Sequence, residues 1–410
     1  MPDVRSTLRT PIGRGFALMA LATMATGFAM AANQNIGSNY FKEQLHLSGP
    51  QFGYITAIRE IPGFLLIFLT AIFYRLTLPR LTALALAVLA IGYGFYGLST
   101  SFWTLAPWVV ISSMGYHTWL QTQGALAMSL TTKNRAGSIL GRVSSLNSAG
   151  AVTAMIVVLI TFRFGWLNFR STFVICGILA LLAAVAIFFF PNVRDGEVQN
   201  VLPRREPLLF RKDYRYYYLL NLLDGGRQQI FFSFGLWVLV EHYKLGVPVI
   251  SFVLLAVTTV SMTIGPWIGR QIDQRGVRRI LEVANVGYIL ALMGYGFADN
   301  AIIAIACYVI YSFIFPLSYI GSSTYLRQIA PPEELAPSLA MGVTMQHVAA
   351  IVVPLAAGYI LNFVGYQIPF IIACVFAAST FFVTRRLSPD TQQVASRVAP
   401  QEAARPAGAD

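Results

Sequence analysis

The chain has 410 residues, of which 56% are hydrophobic and only 11% are charged. Soluble domains carry about 25% charged residues, so this composition excludes a soluble globule and predicts an integral membrane protein. The formal charge of +12 would suggest nucleic acid only if the basic residues formed a patch, and their placement argues against one.

Twelve segments are long and apolar enough to cross a bilayer, which takes about 20 mostly apolar residues per helix. They cover residues 15–37, 50–74, 81–99, 103–128, 138–162, 169–190, 215–240, 247–270, 279–298, 300–325, 337–362 and 366–385. Transmembrane β-strands would alternate polar and apolar residues, and these segments do not. The sequence therefore predicts an all-α membrane protein with twelve transmembrane helices.

The first segment also resembles a secretory signal. Arg5, Arg9 and Arg14 precede an apolar run that ends in the small residues AMAA at 29–32. Cleavage there would leave eleven spans and remove the symmetry described below. We expect this segment to be the first span.

The basic residues mark one side of the membrane. With the N-terminus inside, all but six of the 29 Lys and Arg lie on the cytoplasmic side or at its edge. The six are Lys42, Arg163, Arg170 and Lys244 in outer loops, and Arg59 and Arg227 within spans. This bias follows the positive-inside rule. It predicts cytoplasmic termini and argues against a nucleic-acid partner. We expect a prokaryotic inner-membrane protein surrounded by lipid.

The three cysteines, Cys176, Cys307 and Cys374, each lie inside a predicted span and form no CxxC pair. We interpret them as small apolar residues. The sequence predicts no metal site and no cofactor.

The chain repeats itself weakly. A shift of 198 residues aligns the segments on both sides of the second and eighth spans, and a shift of 200 aligns the fifth span with the eleventh. The matched pairs are Leu47 and Leu245, Arg80 and Arg278, Ser138 and Ser338, Val143 and Val343, and Asn147 and His347. The repeat predicts two six-helix bundles, 1–190 and 215–386, joined by a basic cytoplasmic linker at 191–214. The segment 387–410 contains no apolar span and is predicted to be a disordered cytoplasmic tail.

One loop carries a family resemblance. The segment GRQIDQRGVRR, from 269 to 279, resembles the loop signature of the major facilitator superfamily, through Gly269, Asp273, Arg275, Gly276, Arg278 and Arg279. The first-half equivalent has Ala71 and Arg75 at the Gly and Asp positions and keeps only Arg80. The resemblance implies a monomeric secondary transporter that works by alternating access, with this loop closing the cytoplasmic side. The missing Asp leaves open whether both halves gate alike.

Charged residues within spans are candidates for function, because each costs about 2.5 to 3.5 kcal/mol on insertion scales. The second span contains Arg59 and Glu60, and the seventh contains Asp224 and Arg227. Adjacent helical residues point about 100° apart. We therefore expect Arg59 and Glu60 to find partners on another helix or in the central cavity rather than in each other. Each charged pair could equally serve structure alone.

Helical spacing adds polar residues to these charges, and Gly and Pro predict irregular turns near them. The candidates for solute binding or proton coupling are Arg59, Glu60, His117, Gln121, Asn147, Asp224, Arg227, Gln228 and His347. Pro62–Gly63 follows the charges of the second span, and DGGR is predicted to break the seventh at residues 224–227.

The chain carries none of the common catalytic motifs, so we expect no enzyme. The sequence predicts a proton-coupled carrier of a small polar or organic-anion solute. A drug or metabolite exporter is the alternative within the family, although the fifth span has no Gly-Pro pair. A transporter-like receptor or a channel is the alternative outside it.

Overall fold

The computed structural model describes residues 10–65, 76–131, 136–191, 193–194, 197–198 and 210–387. A helix coincides with each of the twelve predicted spans. In the first half these are α1 Pro11–Asn39, α2 Gly49–Phe64, α3 Leu78–Tyr96, α4 Phe102–Ser129, α5 Ala136–Arg163 and α6 Phe169–Phe188. The predicted residues 66–74 of the second span lie outside the described residues.

The seventh helix is built from three parts. These are α7a Arg215–Gln229, a π-helical segment Ile230–Gly235, and α7b Leu236–Glu241. The remaining helices are α8 Val247–Arg275, α9 Val277–Gly296, α10 Ala301–Ile329, α11 Pro332–Phe363 and α12 Gln367–Arg385. A second π-helical segment, Tyr40–Gln44, ends the first helix.

The helices begin where the sequence supplies the groups that a helix start needs. Ser48, Ser101 and Asn168 each form a capping box at the start of α2, α4 and α6. Their side chains accept hydrogen bonds from backbone N–H groups that have no partner inside the helix. Proline occupies the first turn of α1, α2 and α3. Its missing N–H costs no hydrogen bond there, because N–H groups in the first turn have no partner inside the helix.

Seven helices in the described part of the chain are long and apolar enough to cross a membrane by length and composition. They are Pro11–Gln44, Leu78–Tyr96, Ser138–Arg163, Phe169–Phe188, Ala301–Ile329, Pro337–Phe363 and Gln367–Arg385. The described part of α2 has only 16 residues. Helix α7a carries charged and amide side chains, which lower its hydropathy.

The predicted linker contains a small amount of β-structure. Strands β1 Val193–Arg194 and β2 Glu197–Val198 pair antiparallel, with Val193 opposite Val198. A short 3-10 helix, Lys212–Tyr214, leads into α7a. Linker residues 192, 195–196 and 199–209 and tail residues 388–410 lie outside the described residues, so the linker and tail stay predictions.

Contacts divide the chain into two compact units. Unit 1 comprises Met1–Arg204, Ser233–Met262 and Pro354–Phe363, and within it α3 packs on α4 and α6 while α1 packs on α5 and α6. Unit 2 comprises Arg205–Phe232, Thr263–Val353 and Val364–Asp410, and within it α9 packs on α10 and α12 while α12 packs on α7a.

The repeat is visible in the backbone. The Leu47 N–H donates to the Phe41 carbonyl at 3.0 Å, and 198 residues later the Leu245 N–H donates to the Leu239 carbonyl at the same distance. The residue before each leucine, His46 or Lys244, has φ near +50°. Residues other than Gly rarely adopt this conformation. The two halves therefore build the same turn from different side chains.

Candidate functional site

Glu60 lies on α2 where that helix packs on α4. The Ser113 hydroxyl of α4 donates a hydrogen bond to the Arg59 carbonyl, one turn before Pro62. Helix α4 is itself held close to α3 at Gly115, where an added Cβ would lie 2.8 Å from the Leu89 Cβ. This packing places the face of α4 that carries His117 beside α2.

The structure contradicts the expectation that Arg59 and Glu60 do not pair. The Arg59 Nε and Nη2 atoms both donate to Glu60 Oε1 at 3.2 Å. The 100° between adjacent helical positions separates the Cβ directions. The long arginine side chain bends around the helix surface and reaches the neighbouring carboxylate.

Glu60 also faces a group on another helix, as the sequence predicts. Its Oε2 atom lies 3.9 Å from His117 Nε2, and both side chains are largely buried. This distance suits an ion pair with a protonated imidazole or a bridging water, and is too long for a direct hydrogen bond. The Arg59 side chain is 49% exposed, against 12% for Glu60. Glu60 thus contacts two basic groups, one buried and one accessible.

Two other candidates of unit 1 lie apart from these contacts. Gln121 is exposed, one helical turn beyond His117 on α4. Asn147 lies where α5 meets α1, and an added Cβ at Gly27 would lie 3.0 Å from the Asn147 Oδ1 atom.

Unit 2 contains the second charged pair. Arg227 Nη2 donates to Asp224 Oδ1 at 2.7 Å and to the Ser318 hydroxyl of α10 at 3.2 Å. The Arg227 side chain has no exposed surface. Asp224 and Arg227 are therefore each other's partners within α7a, as one of the sequence alternatives proposed.

Aromatic rings enclose the Arg227 guanidinium. Its central carbon lies 3.5 Å from the ring centroid of Tyr288 on α9 and 5.5 Å from that of Tyr311 on α10. Phe231, one turn along the chain, stacks on Tyr311 with ring centroids 3.6 Å apart. A cation over aromatic faces gains about 2 kcal/mol or more when desolvated. This cage holds Arg227 in the interior of unit 2.

The predicted break at DGGR is wrong. Helix α7a continues through Asp224 and Arg227 to Gln229, and the irregular segment begins at Ile230. Gly225 instead allows close packing, since an added Cβ there would lie 2.9 Å from the Gln346 Cα of α11. The Gln346 amide also donates to Asn221 Oδ1 at 2.9 Å. Gln228 of α7a and His347 of α11 are both half-buried in unit 2.

The predicted gating loop is a one-residue turn. Helix α8 ends at Arg275, Gly276 has φ of +79°, and α9 begins at Val277. Glycine takes this backbone conformation without steric cost, which explains the second Gly of the motif. Arg278 forms an ion pair with Glu282 at 3.0 Å. Gly269 lies within α8, and the Asp273 side chain falls outside the described residues.

Comparison with known proteins identifies the family. The sequence model of the Major Facilitator Superfamily matches residues 18–225 and again 217–408. The chain belongs to the major facilitator superfamily. It is an integral membrane protein with the twelve-helix, two-bundle fold of these transporters.

Solved structures of transporters share this fold. The chain is similar to the nucleoside transporter NupG, with a TM-score of 0.75 and 14% identity over 91% of this chain and 98% of that one. It is also similar to a D-xylose-proton symporter, with a TM-score of 0.72 and 14% identity over 94% and 99%. A bacterial homologue of the human lysosomal transporter Spinster gives 0.69 and 15% over 91% and 96%. Curated protein sequences give no match.

The structure of this superfamily member adds a cluster in unit 1 that sequence reasoning missed. Lys42 Nζ lies 2.5 Å from Glu241 Oε1, and the Phe52 ring stacks on Trp237 with centroids 4.4 Å apart. We call Lys42, Glu241, Phe52 and Trp237 the end cluster. The repeat gave a signal for it, because the shift of 198 aligns Asn39 and Glu43 with Trp237 and Glu241. Both pairs are hydrogen-bonded four residues apart.

Proposed function

We propose that the protein is a proton-coupled secondary transporter of a small polar solute, and that the solute carries an anionic group. The observation that carries this proposal is Glu60, a largely buried carboxylate in contact with both Arg59 and His117. Intramembrane carboxylates and histidines with such partners are typical of proton pathways. Asp224, which is also buried in the described part of the chain, is the second candidate for proton coupling.

The Arg59–Glu60 pair suggests how the binding of a proton and the binding of an anion could be coupled. When Glu60 is ionised, it neutralises Arg59. When Glu60 takes up a proton, Arg59 loses its counter-ion, and its accessible guanidinium can bind a carboxylate or phosphate through charged hydrogen bonds. The pair is neutral when empty and neutral again with a proton and a monoanion bound. Both forms therefore avoid an uncompensated charge in the membrane.

Arg227 is less suited to the same task. Solute would have to displace Asp224 and reach a side chain with no exposed surface. Arg227 therefore supports the interior of unit 2, and Arg59 is the proposed anion contact. At 14% identity, likeness to nucleoside and D-xylose carriers shows the fold and does not select the solute.

We further propose that the end cluster closes the outer side of the transporter. Lys42 and Glu241 are each about 30% exposed, so their ion pair contributes about 0 to 1 kcal/mol. Stacking of aromatic rings such as Phe52 and Trp237 adds about 0.5 to 1.5 kcal/mol beyond their burial. A contact of this strength can hold a closed state and still open in a cycle.

The first experiment finds the solute. Purified protein is screened by thermal shift against metabolites supplied as matched pairs, each carboxylate with its uncharged amide. We expect carboxylates to stabilise the wild type and their amides to have little effect. Arg59→Gln should remove this preference, while Arg163→Gln, a change at an exposed residue of the α5 end, should keep it. If a carboxylate and its uncharged amide bind equally well, the proposal of an anionic solute is wrong.

The second experiment tests coupling in proteoliposomes. With a monoanionic hit, uptake should follow an imposed pH gradient and respond little to membrane voltage. Glu60→Gln should abolish uptake driven by the pH gradient and retain solute exchange. If Glu60→Gln and Asp224→Asn both keep pH-driven uptake, neither carboxylate couples transport to protons.

A further inference from the structure

We propose that unit 2 binds an anionic phospholipid in a pocket at the α8–α9 turn. The pocket has a volume of about 530 Å³, and its charged lining residues are Arg275, Arg278, Arg279 and Glu282. Their formal charge is +2. Pockets of basic residues at a helix end on the cytoplasmic side suit lipid head groups. The site is separate from the proposed solute site and does not rest on that proposal.

Among the side chains that the structure describes, one carboxylate, that of Glu282, lines this basic pocket. Arg278 and Arg279 lie in the first turn of α9, which contains no acidic residue and has no side-chain cap. The helix N-terminus is already partially positive, so two arginines there are unfavourable unless an anion is present. Glu282 contacts Arg278 at its Nε atom. Arg275 and Arg279 are exposed at the pocket.

The remaining lining residues suit a phosphate ester with attached chains. The Tyr325 and Gln328 side chains of α10 supply polar groups, and the largely buried apolar residues Val277 and Leu387 complete the lining. A phosphate accepts bidentate hydrogen bonds from arginine. The pocket therefore combines donors for a head group with apolar contacts beside them.

An apolar stripe on α9 distinguishes a lipid from a soluble anion. Starting four residues after Arg279, large apolar side chains recur at intervals of three or four, which places them on one helix face. They are Val283, Val286, Leu290 and Met293 within α9 and Phe297 directly after its end, and each is between 41% and 68% exposed. In a membrane-spanning helix such a face contacts acyl chains. A free phosphate would make no use of it, whereas a phospholipid would occupy both the pocket and the stripe.

Binding is tested on delipidated full-length protein by native mass spectrometry and thermal shift. The probe is phosphatidylglycerol, compared with phosphatidylcholine of the same chains and with inorganic phosphate. We expect phosphatidylglycerol adducts and a raised melting temperature, a weaker effect of phosphatidylcholine, and no stabilisation by phosphate alone. Equal stabilisation by inorganic phosphate would show a site for soluble anions and overturn the lipid proposal.

Variants locate the site. The triple change Arg275→Gln, Arg278→Gln and Arg279→Gln should reduce phosphatidylglycerol adducts at least about tenfold, a loss of about 1.4 kcal/mol. Arg80→Gln is the matched control, because Arg80 aligns with Arg278 in the repeat and lies outside the pocket. If the triple variant misfolds, Arg279→Gln alone should weaken binding severalfold. Adducts that are unchanged in a folded Arg279→Gln variant, or reduced equally in Arg80→Gln, overturn the assignment.

Discussion

Arg227 shows how an arginine can be buried with few hydrogen bonds. Only its Nη2 atom forms hydrogen bonds, while Nε and Nη1 have no hydrogen-bond partner within the described structure. An unsatisfied buried donor costs about 1 to 3 kcal/mol. The rings of Tyr288 and Tyr311 lie against the guanidinium and offset part of that cost. The stability of unit 2 therefore depends on the planar shape of this side chain as well as on its charge.

Arg227→Lys tests this dependence. Lysine keeps a positive charge near Asp224 but cannot stack a planar group on Tyr288. We expect a loss of about 1 to 3 kcal/mol, and Arg227→Ala to lose about 3 to 5 kcal/mol because it leaves Asp224 buried alone. Thermal unfolding of the purified protein measures both, with Arg163→Lys as the surface control. A melting temperature of Arg227→Lys equal to that of the wild type would contradict the role of the cage.

At the residue scale, the important side chains could be predicted from the sequence, but most of their contacts could not. The candidates Glu60, Asp224 and Arg227 followed from charge inside apolar runs. Their surroundings did not follow, because Tyr288 and Tyr311 come from helices 60 to 90 residues away. The Arg59–Glu60 contact depends on a side-chain rotamer, which helical periodicity does not determine.

At the element scale, the helices were predictable and their irregularities were not. Each span followed from an apolar run, and the Ser, Asn and Pro residues at the helix starts can be recognised in the sequence. The π-helical segment at 230–235 consists of the residues IFFSFG, which carry no local signal for irregularity. Glycine was ambiguous for a physical reason. It can bend a helix or let two helices approach, and at Gly225 it does the latter.

Gly53 is the sharpest case of such an approach. It lies on α2 against α11 in unit 1, where an added Cβ would lie 3.3 Å from the Gly358 Cα and closer still to the Pro354 carbonyl. These neighbours are backbone atoms, so the helices must separate. We expect Gly53→Ala to destabilise the protein by about 1 to 3 kcal/mol.

Gly141→Ala is the matched control for this change. Gly141 lies within α5, and an added Cβ there meets no atom within 4 Å. Alanine should stabilise that helix by about 0.5 to 1 kcal/mol. The two variants should therefore shift the melting temperature in opposite directions. A rise for both would show that α2 and α11 are not in close contact at Gly53.

At the scale of the whole molecule, the end cluster should control access from outside. Trp237 is completely buried and Phe52 nearly so. We expect Trp237→Ala to open the outer side more than Lys42→Gln, because losing the stack removes more free energy than losing an ion pair whose side chains are about 30% exposed. The probe is a cysteine at Thr56, which is 2% exposed, in a chain without its native cysteines.

An impermeant maleimide added outside the cells reports on this opening. A change of 1 kcal/mol alters a population about fivefold, so labelling should rise about fivefold or more with Trp237→Ala. Lys42→Gln should change it by no more than about fivefold. Greater labelling in Lys42→Gln than in Trp237→Ala would show that the ion pair, and not the aromatic stack, holds this end closed.

The proposals for the lipid pocket and for the end cluster both depend on the orientation of the whole chain in the membrane. The positive-inside rule places the Arg275–Arg279 turn in the cytoplasm and the turns with Lys42 and Lys244 outside. Two exposed positions test this, Thr100 between α3 and α4 and Gln274 near the end of α8. A cysteine at Thr100 should react with an impermeant maleimide in intact cells, and one at Gln274 only after the membrane is permeabilised. The reverse result would place the lipid pocket in the outer leaflet and the end cluster on the cytoplasmic side. The end cluster would then close the cytoplasmic side, and the predicted gating loop at 269–279 could not close that side.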